Sequence, residues 1–264
     1  MICHVERIKY KSTKDPIKIV PLFDIHYGNA ACDVNALRDF IRNNKDAYFI
    51  GGGDWLDSVI ISDLRRYRKT IDSTETDEII DEQIDGLYEI IKPIKNRIIG
   101  LGSGNHEDNI AKRCGTHPMK RLCKRLDVPF LGFSGLIKLI LRTEVGQART
   151  VIIRWHHGWG GGSRTQGADL TKFSKDMLYW DADIFLYGHV HRKQADRIPR
   201  LGLWGDKLIS KPKLLGICGT FLRTYTDTAN PTYSEIAGYP PTEIGALTVN
   251  IRPFRKWVQM WIDT

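Results

Sequence analysis

Five short segments of the sequence place metal-ligand residue types directly after an apolar run. Aspartate, asparagine and histidine dominate these segments, and five of the eight histidines lie in them. The segments are Asp24-Ile25-His26, Gly53-Asp54-Trp55-Leu56-Asp57, Gly104-Asn105-His106-Glu107, His157-Gly158 and Gly188-His189-Val190-His191. Imidazole nitrogen and carboxylate oxygen are ligands of manganese, iron and zinc, and an amide carbonyl can complete the shell of a hard cation. As a set, the segments predict a metal centre rather than isolated structural histidines.

This inventory of ligands is large enough for two cations. Two divalent cations about 4 Å apart repel each other and need a shared anion between them. Asp54, in the second of the five segments, is the natural bridge. The sequence therefore predicts a centre of two divalent metal ions, with Mn, Fe or Zn as candidates and Mn favoured.

The runs that precede these segments are rich in Ile, Val and aromatic residues, which is typical of buried strands. The predicted strands cover residues 17–23, 48–50, 97–101, 151–155 and 184–187. The loops that follow such strands meet over one edge of the sheet in α/β folds. We therefore expect the five segments to lie close together in space.

Helical periodicity lies between these strands. Asp33 is predicted to cap a first helix, with Val34, Leu37 and Ile41 on its apolar face, and Asp77 to cap a second that ends before Pro93. Two further helices are predicted over residues 118–126 and 168–178. Later strands are predicted over 137–142 and 150–154, which form a hairpin, and over 214–217, 246–251 and 256–262. The alternation predicts a layered α/β domain with a mixed sheet or two packed sheets.

Length and composition limit the class of protein. The chain has 264 residues, of which 42% are hydrophobic and 27% charged, so it can bury a core and is neither disordered nor fibrous. No apolar stretch approaches the roughly 18 residues of a membrane span, and residues 1–9 lack the apolar region of a secretory signal. Five scattered cysteines without a CxxC pair fit a reducing compartment. We expect one cytoplasmic domain over residues 1–264, with no membrane partner and an oligomeric state that the sequence leaves open.

Taken in order, the five motifs resemble those of the calcineurin-like metallophosphoesterases. They span residues 24 to 191, roughly the first three-quarters of the chain. The resemblance implies an α/β fold in which a two-sheet β-sandwich is flanked by helices, giving αββα layers. It also implies a dinuclear metal centre at the strand ends and hydrolysis of phosphate esters.

The resemblance also implies a role for nine of these residues. It assigns Asp24, His26 and His191 to one metal, Asn105, His157 and His189 to the other, Asp54 to both, and His106 with Asp57 to proton transfer. A carboxylate beside an imidazole raises the pKa of that imidazole and orients it. His156 directly precedes His157, and the order of His before Gly favours His157 as the ligand.

Two features bear on the substrate. Ser58-Val59 stands where the protein phosphatase branch has Arg-Gly, and Gly188-His189-Val190-His191 resembles the phosphodiesterase and nuclease branch. These features predict a phosphodiesterase, with nucleic acid or a nucleotide as the substrate. The alternatives are a phosphomonoesterase and a non-catalytic binding scaffold. The scaffold is disfavoured because every ligand and His106 are present.

Several other residues are candidates for substrate contact. Trp55 and Trp159 lie next to predicted ligands and either stack on substrate or pack around the site. Arg164 follows a glycine-rich loop that either contacts a phosphate or is an ordinary flexible loop. The net charge of +8 favours anionic partners, and basic clusters at 65–69 and 120–125 are either nucleic-acid contacts or solvated faces. Residues 226–241, rich in Thr and Pro, are expected to form a surface connection.

Overall fold

The computed structural model describes residues 1–59, 79–144, 146–227, 230–254 and 257–264. Within these ranges the strands are β1 Ile2–Lys9, β2 Ile17–Leu22, β3 Tyr48–Gly52, β4 Ile98–Gly102, β5 Ser134–Arg142, β6 Ala148–His156, β7 Ile184–Tyr187, β8 Lys193–Ile198, β9 Leu201–Trp204, β10 Lys207–Ser210, β11 Lys213–Thr220, β12 Gly245–Ala246, β13 Thr248–Pro253 and β14 Val258–Asp263. The α-helices are α1 Val34–Asn43, α2 Ile79–Ile91, α3 Asn105–Cys114, α4 Pro118–Leu126, α5 Ala168–Ser174 and α6 Tyr233–Ile236.

The strands form two large sheets and a separate hairpin. One sheet has the order β14-β13-β2-β3-β4, in which β2, β3 and β4 are parallel. The other has the order β1-β5-β6-β7-β11-β12, with β8 paired to β11, and its β6, β7 and β11 are parallel. The hairpin consists of β9 and β10. The prediction of a mixed, two-sheet architecture is confirmed.

Three apolar cores define the layers. The central core lies between the two sheets and joins Ile19 and Ile50 of one sheet to Ile153 of the other, all fully buried. A second core packs α1, α2 and α4 against the outer face of the first sheet. A third packs Phe173 of α5 against Tyr187 of the second sheet. The order of layers is helix, sheet, sheet, helix, as the αββα expectation requires.

The predicted helices are present. The side chain of Asp33 caps α1 by accepting a hydrogen bond from the backbone N–H of Ala36 at 2.9 Å. The cap predicted at Asp77 lies outside the described residues, and α2 ends at Ile91, where the 3-10 turn containing Pro93 begins. Helix α5 ends at Ser174, and the remainder of the predicted 168–178 helix is a 3-10 turn.

Some strands were not predicted. β1 is an edge strand whose alternating polar and apolar residues pair in parallel with β5. β8 is polar and only partly buried, so its sequence lacks the apolar run that marks the central strands. In the described part of the chain, no helix combines the length and the apolar composition that crossing a membrane requires.

Candidate metal centre

The loops after five parallel strands converge at one end of the sandwich. Asp24 and His26 follow β2, Asp54 follows β3, Asn105 and His106 begin α3 after β4, His157 follows β6, and His189 and His191 follow β7. Carboxylate oxygens and imidazole nitrogens within 4.8 Å of one another form three groups: Asp24 with His26 and His191, His26 with Asp54 and His106, and Asp54 with His157 and His189. The carboxyl ends of the strands thus bring the predicted segments together.

The first ligand group contains Asp24, His26 and His191. The Nε2 atoms of His26 and His191 are 3.1 Å apart, and His191 Nε2 lies 3.9 Å from Asp24 Oδ1. The other carboxylate oxygen of Asp24, Oδ2, accepts a hydrogen bond from the backbone N–H of His189 at 2.7 Å. Asp24 Oδ1 therefore faces the two imidazoles.

The second ligand group contains Asp54, Asn105, His157 and His189. His157 Nε2 lies 2.9 Å from Asn105 Oδ1 and 3.2 Å from Asp54 Oδ2. His157 Nδ1 lies 3.1 Å from the carbonyl oxygen of Gly52, which can only accept, so Nδ1 carries the hydrogen and Nε2 faces the group. The rings of His157 and His189 meet edge to face with their centroids 5.2 Å apart.

Asp54 lies between the two groups. Its Oδ1 accepts a hydrogen bond from the backbone N–H of His106 at 3.0 Å. Its Oδ2 lies 3.2 Å from His157 Nε2 in the second group and 3.9 Å from His26 Nε2 in the first. One oxygen of one carboxylate therefore faces both groups.

The donor set fits divalent cations. Asp24 Oδ1 is fully buried and has no hydrogen-bond partner among the described residues, which is costly for a carboxylate unless a cation or donor faces it. Burial raises the pKa of Asp24 well above its usual value, and a bound cation would keep that carboxylate ionised. Imidazole, carboxylate and amide oxygen together are a set that binds Mn, Fe or Zn.

The charges of the second group are balanced internally. Burial disfavours the imidazolium of His157, but the Asp54 carboxylate beside it raises the pKa of His157 to about 9, so a cation bound by His157 would have to displace a proton from Nε2. Burial likewise disfavours the Asp54 carboxylate, yet His157 and His106 hold its pKa well below the usual value. Burial lowers the pKa of His189 to about 4, so this imidazole is neutral, as a metal ligand must be.

Backbone strain is concentrated at the same residues. Non-glycine residues with positive φ are uncommon, and those at the centre are Asp24 (51°), His26 (54°), Asp54 (50°), His189 (72°) and His191 (55°). Each such residue costs roughly 1–3 kcal/mol and persists only because the surrounding structure holds it there. The loops therefore adopt an unfavourable backbone conformation at the residues whose side chains point into the centre.

His106 lies beside the first group and is partly exposed. Its Nδ1 donates to the backbone carbonyl of Asp57 at 2.5 Å, which leaves Nε2 for another partner. The Asp57 carboxylate lies 3.7 Å from His106 Nδ1 and somewhat closer, 3.4 Å, to His26 Nδ1. The predicted pairing of Asp57 with His106 is thus made mainly through the Asp57 backbone, and the carboxylate is shared with His26.

The choice between His156 and His157 follows from their neighbours. His156 Nδ1 accepts a hydrogen bond from the backbone N–H of Gly158 at 2.8 Å, and its ring contacts Trp159. Burial lowers the pKa of His156 to about 4. The side chain of His157 faces the ligand groups, whereas that of His156 faces an aromatic cluster.

Glu107 is a residue of the site to which the sequence analysis gave no role. Its carboxylate is buried and accepts four backbone N–H hydrogen bonds, from Asp54 (3.2 Å), Trp55 (2.6 Å), Leu56 (3.0 Å) and Gly104 (2.8 Å). These donors belong to the loops after β3 and β4. Glu107 therefore joins the loop that carries Asp54 to the one that carries Asn105. The signal that could have revealed it is a carboxylate at the third position of α3, next to two predicted site residues.

A cavity of about 260 Å³ opens over the ligand groups. His26, Asp54, Asn105, His106, His189 and His191 line one side. The glycine-rich loop at 160–163, residues of the 222–242 segment, and Asp57, Val59 and Arg192 are among the other lining residues. The described residues of 226–241, predicted to form a surface connection, are mostly exposed or half-buried. Thr232, Tyr233 and Tyr239 of this segment also form part of the cavity wall, which the sequence did not predict.

The tryptophans and Arg164 do not line this cavity. Trp55 is 1% exposed and belongs to the core beneath α1 and α2, so it packs around the site rather than contacting substrate. Trp159 packs edge to face against His156, Phe173 and Tyr187. Arg164 donates to the carbonyl of Ala237 at 3.3 Å and so links the glycine-rich loop to the opposite wall.

The structure describes one of the two basic clusters that the sequence offered as nucleic-acid contacts. The cluster at 65–69 lies outside the described residues. In the cluster on α4, Arg121 is ion-paired with Asp81 and Arg125 with Asp85. These two arginines join α4 to α2.

Comparison with known proteins gives matches in structure alone. No protein-family model matches the chain, and no curated protein matches it. The calcineurin-like phosphoesterase YfkN from Bacillus subtilis aligns with a TM-score of 0.36 and 13% identity, covering 95% of this chain and 91% of its own. Vacuolar Protein Sorting 29 from Cryptosporidium parvum aligns with a TM-score of 0.36 and 12% identity, covering 95% and 98%. Similarity at this level assigns no function, so the functional argument rests on the site.

Proposed function

We propose that this chain is a phosphoesterase that works with two divalent cations, with Mn²⁺ as the favoured metal. The observation that carries the proposal is the position of Asp54 Oδ2, 3.2 Å from His157 Nε2 and 3.9 Å from His26 Nε2. A carboxylate oxygen shared by two cations offsets their mutual repulsion. The motifs that resemble the calcineurin-like metallophosphoesterases contain the same aspartate.

Each cation would have its own ligands. The first would be held by Asp24, His26 and His191, the second by Asn105, His157 and His189, and Asp54 would serve both. Two cations at these positions would activate an attacking water and neutralise the phosphoryl oxygens. The hydrogen bonds from His189 N to Asp24 and from His106 N to Asp54 hold each carboxylate with one oxygen towards the centre.

His106 is the proposed proton donor to the leaving oxygen. Its Nδ1 is held by the Asp57 carbonyl, and it lines the cavity, so Nε2 is the atom from which a proton would pass to substrate. The Asp57 carboxylate also lies close to His106, 3.7 Å from the same Nδ1 atom.

A phosphodiester is the proposed substrate class. The motif that ends in His191 and the Ser58-Val59 pair favour it. The cavity lining also includes residues outside the ligand groups, such as Thr232 and Tyr239, which a second ester substituent could contact. A phosphomonoesterase remains the alternative, which a direct comparison of substrates separates from the diesterase.

The test compares Asp54→Asn with a matched control, Asp108→Asn. Asp108 is a half-buried residue of α3 paired with Lys112 at 2.6 Å, outside the cavity lining. We expect Asp54→Asn to lower the Mn²⁺ content and nearly abolish hydrolysis of bis-p-nitrophenyl phosphate, because the shared oxygen loses its charge. Asp108→Asn should match the wild type in both assays.

The proposal fails if the wild type hydrolyses neither bis-p-nitrophenyl phosphate nor p-nitrophenyl phosphate with any of Mn²⁺, Fe²⁺ or Zn²⁺. It also fails if Asp54→Asn keeps wild-type turnover. Faster hydrolysis of the monoester than of the diester would leave the metal centre in place and replace the diesterase by the alternative.

A further inference from the structure

Part of the cavity wall comes from the segment that follows β11. We call its described residues, 222–227 and 230–242, the Thr–Tyr wall. The members that line the cavity include Thr224, Thr232, Tyr233, Tyr239, Pro240 and Thr242. This wall and the ligand groups face the same space, so a substrate bound to the metals would extend towards the wall.

The Thr–Tyr wall is held in shape by its own hydrogen bonds. Thr224 Oγ1 lies 3.2 Å from the carbonyl of Pro240, and Thr242 Oγ1 donates to the carbonyl of Leu222 at 3.0 Å. Thr232 Oγ1 donates to the carbonyl of Thr224, and the Tyr225 hydroxyl donates to the carbonyl of Tyr239 at 3.1 Å. A surface fixed in this way loses little conformational entropy when a ligand binds.

Two tyrosine rings give this wall aromatic surface. Tyr233 is 51% exposed and Tyr239 is 40% exposed, and their rings meet at an angle with centroids 6.4 Å apart. Tyrosines left this open in a concave site next to a reactive centre can bind a planar ring by stacking, which is tolerant of the ring's identity.

The two cations among the described residues of the cavity lining are both ion-paired. Among the described residues, the cations in the lining are Arg192 and Arg223. Arg192 is ion-paired with the buried Asp169 at 3.2 Å, and Arg223 is ion-paired with Asp33. A nucleic-acid strand is bound mainly by unpaired lysine and arginine residues along its phosphates. A volume of about 260 Å³ is also small, near the lower limit of ligand pockets at roughly 300–1,000 Å³.

We propose that the Thr–Tyr wall binds one planar, nucleoside-like ring of the substrate by stacking on Tyr239 and Tyr233. This inference rests on the proposed phosphoesterase function and narrows it to small esters of a ring-bearing alcohol, such as a nucleotide, rather than a nucleic-acid strand. Tyr233 and Tyr239 determine specificity and take no part in bond breaking.

The experiment uses adenosine 5′-monophosphate and ribose 5-phosphate, which share sugar and phosphate and differ in the ring. Each competes against bis-p-nitrophenyl phosphate on the Mn²⁺-loaded full chain. We expect the inhibition constant of the adenosine compound to be about 10-fold lower or more, from stacking. Tyr239→Leu should bring the two inhibition constants together by weakening only the adenosine compound, and Tyr239→Phe should restore the difference.

Tyr179→Leu is the matched control, because Tyr179 is 80% exposed and lies outside the cavity lining. It should keep the wild-type difference. Equal inhibition by the two compounds in the wild type, or a difference that survives in the Tyr233→Leu/Tyr239→Leu double variant, overturns the inference. So does a 20-nucleotide single strand that inhibits more strongly than the adenosine compound, with a steep dependence on salt.

Failure of this inference is distinct from failure of the proposed function. If bis-p-nitrophenyl phosphate is hydrolysed but adenosine 5′-monophosphate inhibits no better than ribose 5-phosphate, only the inference about the Thr–Tyr wall fails. If no ester is hydrolysed, titration calorimetry with adenosine, which has no ester to cleave, still measures ring binding. A heat of adenosine binding that is present in the wild type and absent in Tyr239→Leu would then support ring binding by the Thr–Tyr wall. No heat of binding in the wild type would overturn the inference.

Discussion

At the scale of single residues, the candidate centre depends on which atom of each side chain the protein already engages. Asp24 Oδ2, Asp54 Oδ1 and His157 Nδ1 each contact a backbone group, so Asp24 Oδ1, Asp54 Oδ2 and His157 Nε2 are left to face the centre. Backbone contacts of this kind orient ligands and raise their affinity for a metal. The ligand atoms are therefore placed in advance.

His106 differs from the ligands, and its substitution tests that difference. We expect His106→Ala to keep both Mn²⁺ ions but to lower the turnover of phosphodiesters by about 10²–10⁴-fold, the typical contribution of proton transfer. The loss should be smaller for p-nitrophenyl esters than for phenyl esters, since a good leaving group needs little protonation. Metal analysis measures the Mn²⁺ content of His106→Ala, and initial rates on the two esters measure its loss of turnover.

The control for this variant is His4→Ala, on the edge strand β1, which should leave turnover unchanged. Loss of one Mn²⁺ ion from His106→Ala would make this histidine a ligand instead of a proton donor. An equal loss of rate for both esters would also contradict the proposed role.

At the scale of the elements, the loops after β3 and β4 act as one unit because Glu107 joins them. Glu107→Gln keeps the size of the side chain but replaces one accepting oxygen by an amide group that faces N–H donors. We expect the free energy of unfolding to fall by about 1–3 kcal/mol, the cost of unsatisfied buried hydrogen-bonding groups. Chemical denaturation measures this, with the exposed Glu89→Gln as the control. A change of less than 0.5 kcal/mol, within the usual range for surface substitutions, would contradict this role.

A substitution at Gly104 tests whether the close packing of the same two loops is needed to position Asp54. A Cβ atom on Gly104 would lie 2.1 Å from Asp54 Oδ1 and 2.5 Å from the Asp54 nitrogen, while its φ of −109° is allowed for any residue. Gly104→Ala should therefore displace Asp54 and lower Mn²⁺ content and activity although every ligand is retained. Gly202→Ala, on the exposed β9–β10 hairpin with no atom within 4 Å of the new Cβ, should have no effect. Wild-type metal content in Gly104→Ala would show that Asp54 tolerates the shift.

In the whole molecule, the candidate metal centre lies where the carboxyl ends of strands from both sheets meet. One sheet supplies Asp24, His26 and Asp54, and the other supplies His157, His189 and His191, so neither sheet alone holds the complete set. The central core, with Ile19 and Ile153 among its fully buried members, fixes the two sheets against each other. Metal binding at the junction should accordingly depend on the packing of the sandwich.

The sequence was sufficient for the parts of this arrangement that local patterns encode. Each ligand segment follows an apolar run, so both the strands and the edge at which they meet could be predicted. The hydrogen bonds of Glu107 could not be predicted, because they join segments that lie far apart in the chain. The position of Tyr239 in the cavity wall could not be predicted either, because its segment has no periodic pattern. Strand β8 could not be predicted because it is polar and lacks the apolar run that marks the central strands.

Anomalous diffraction at the manganese edge, from crystals of the Mn²⁺-loaded protein, would locate the two proposed cations. We expect two anomalous peaks per chain, about 3.5–4 Å apart, with Asp54 Oδ2 between them. His26 and His191 should contact one peak, and His157 and His189 the other. A single peak, or two peaks that do not share Asp54, would rule out the proposed dinuclear centre.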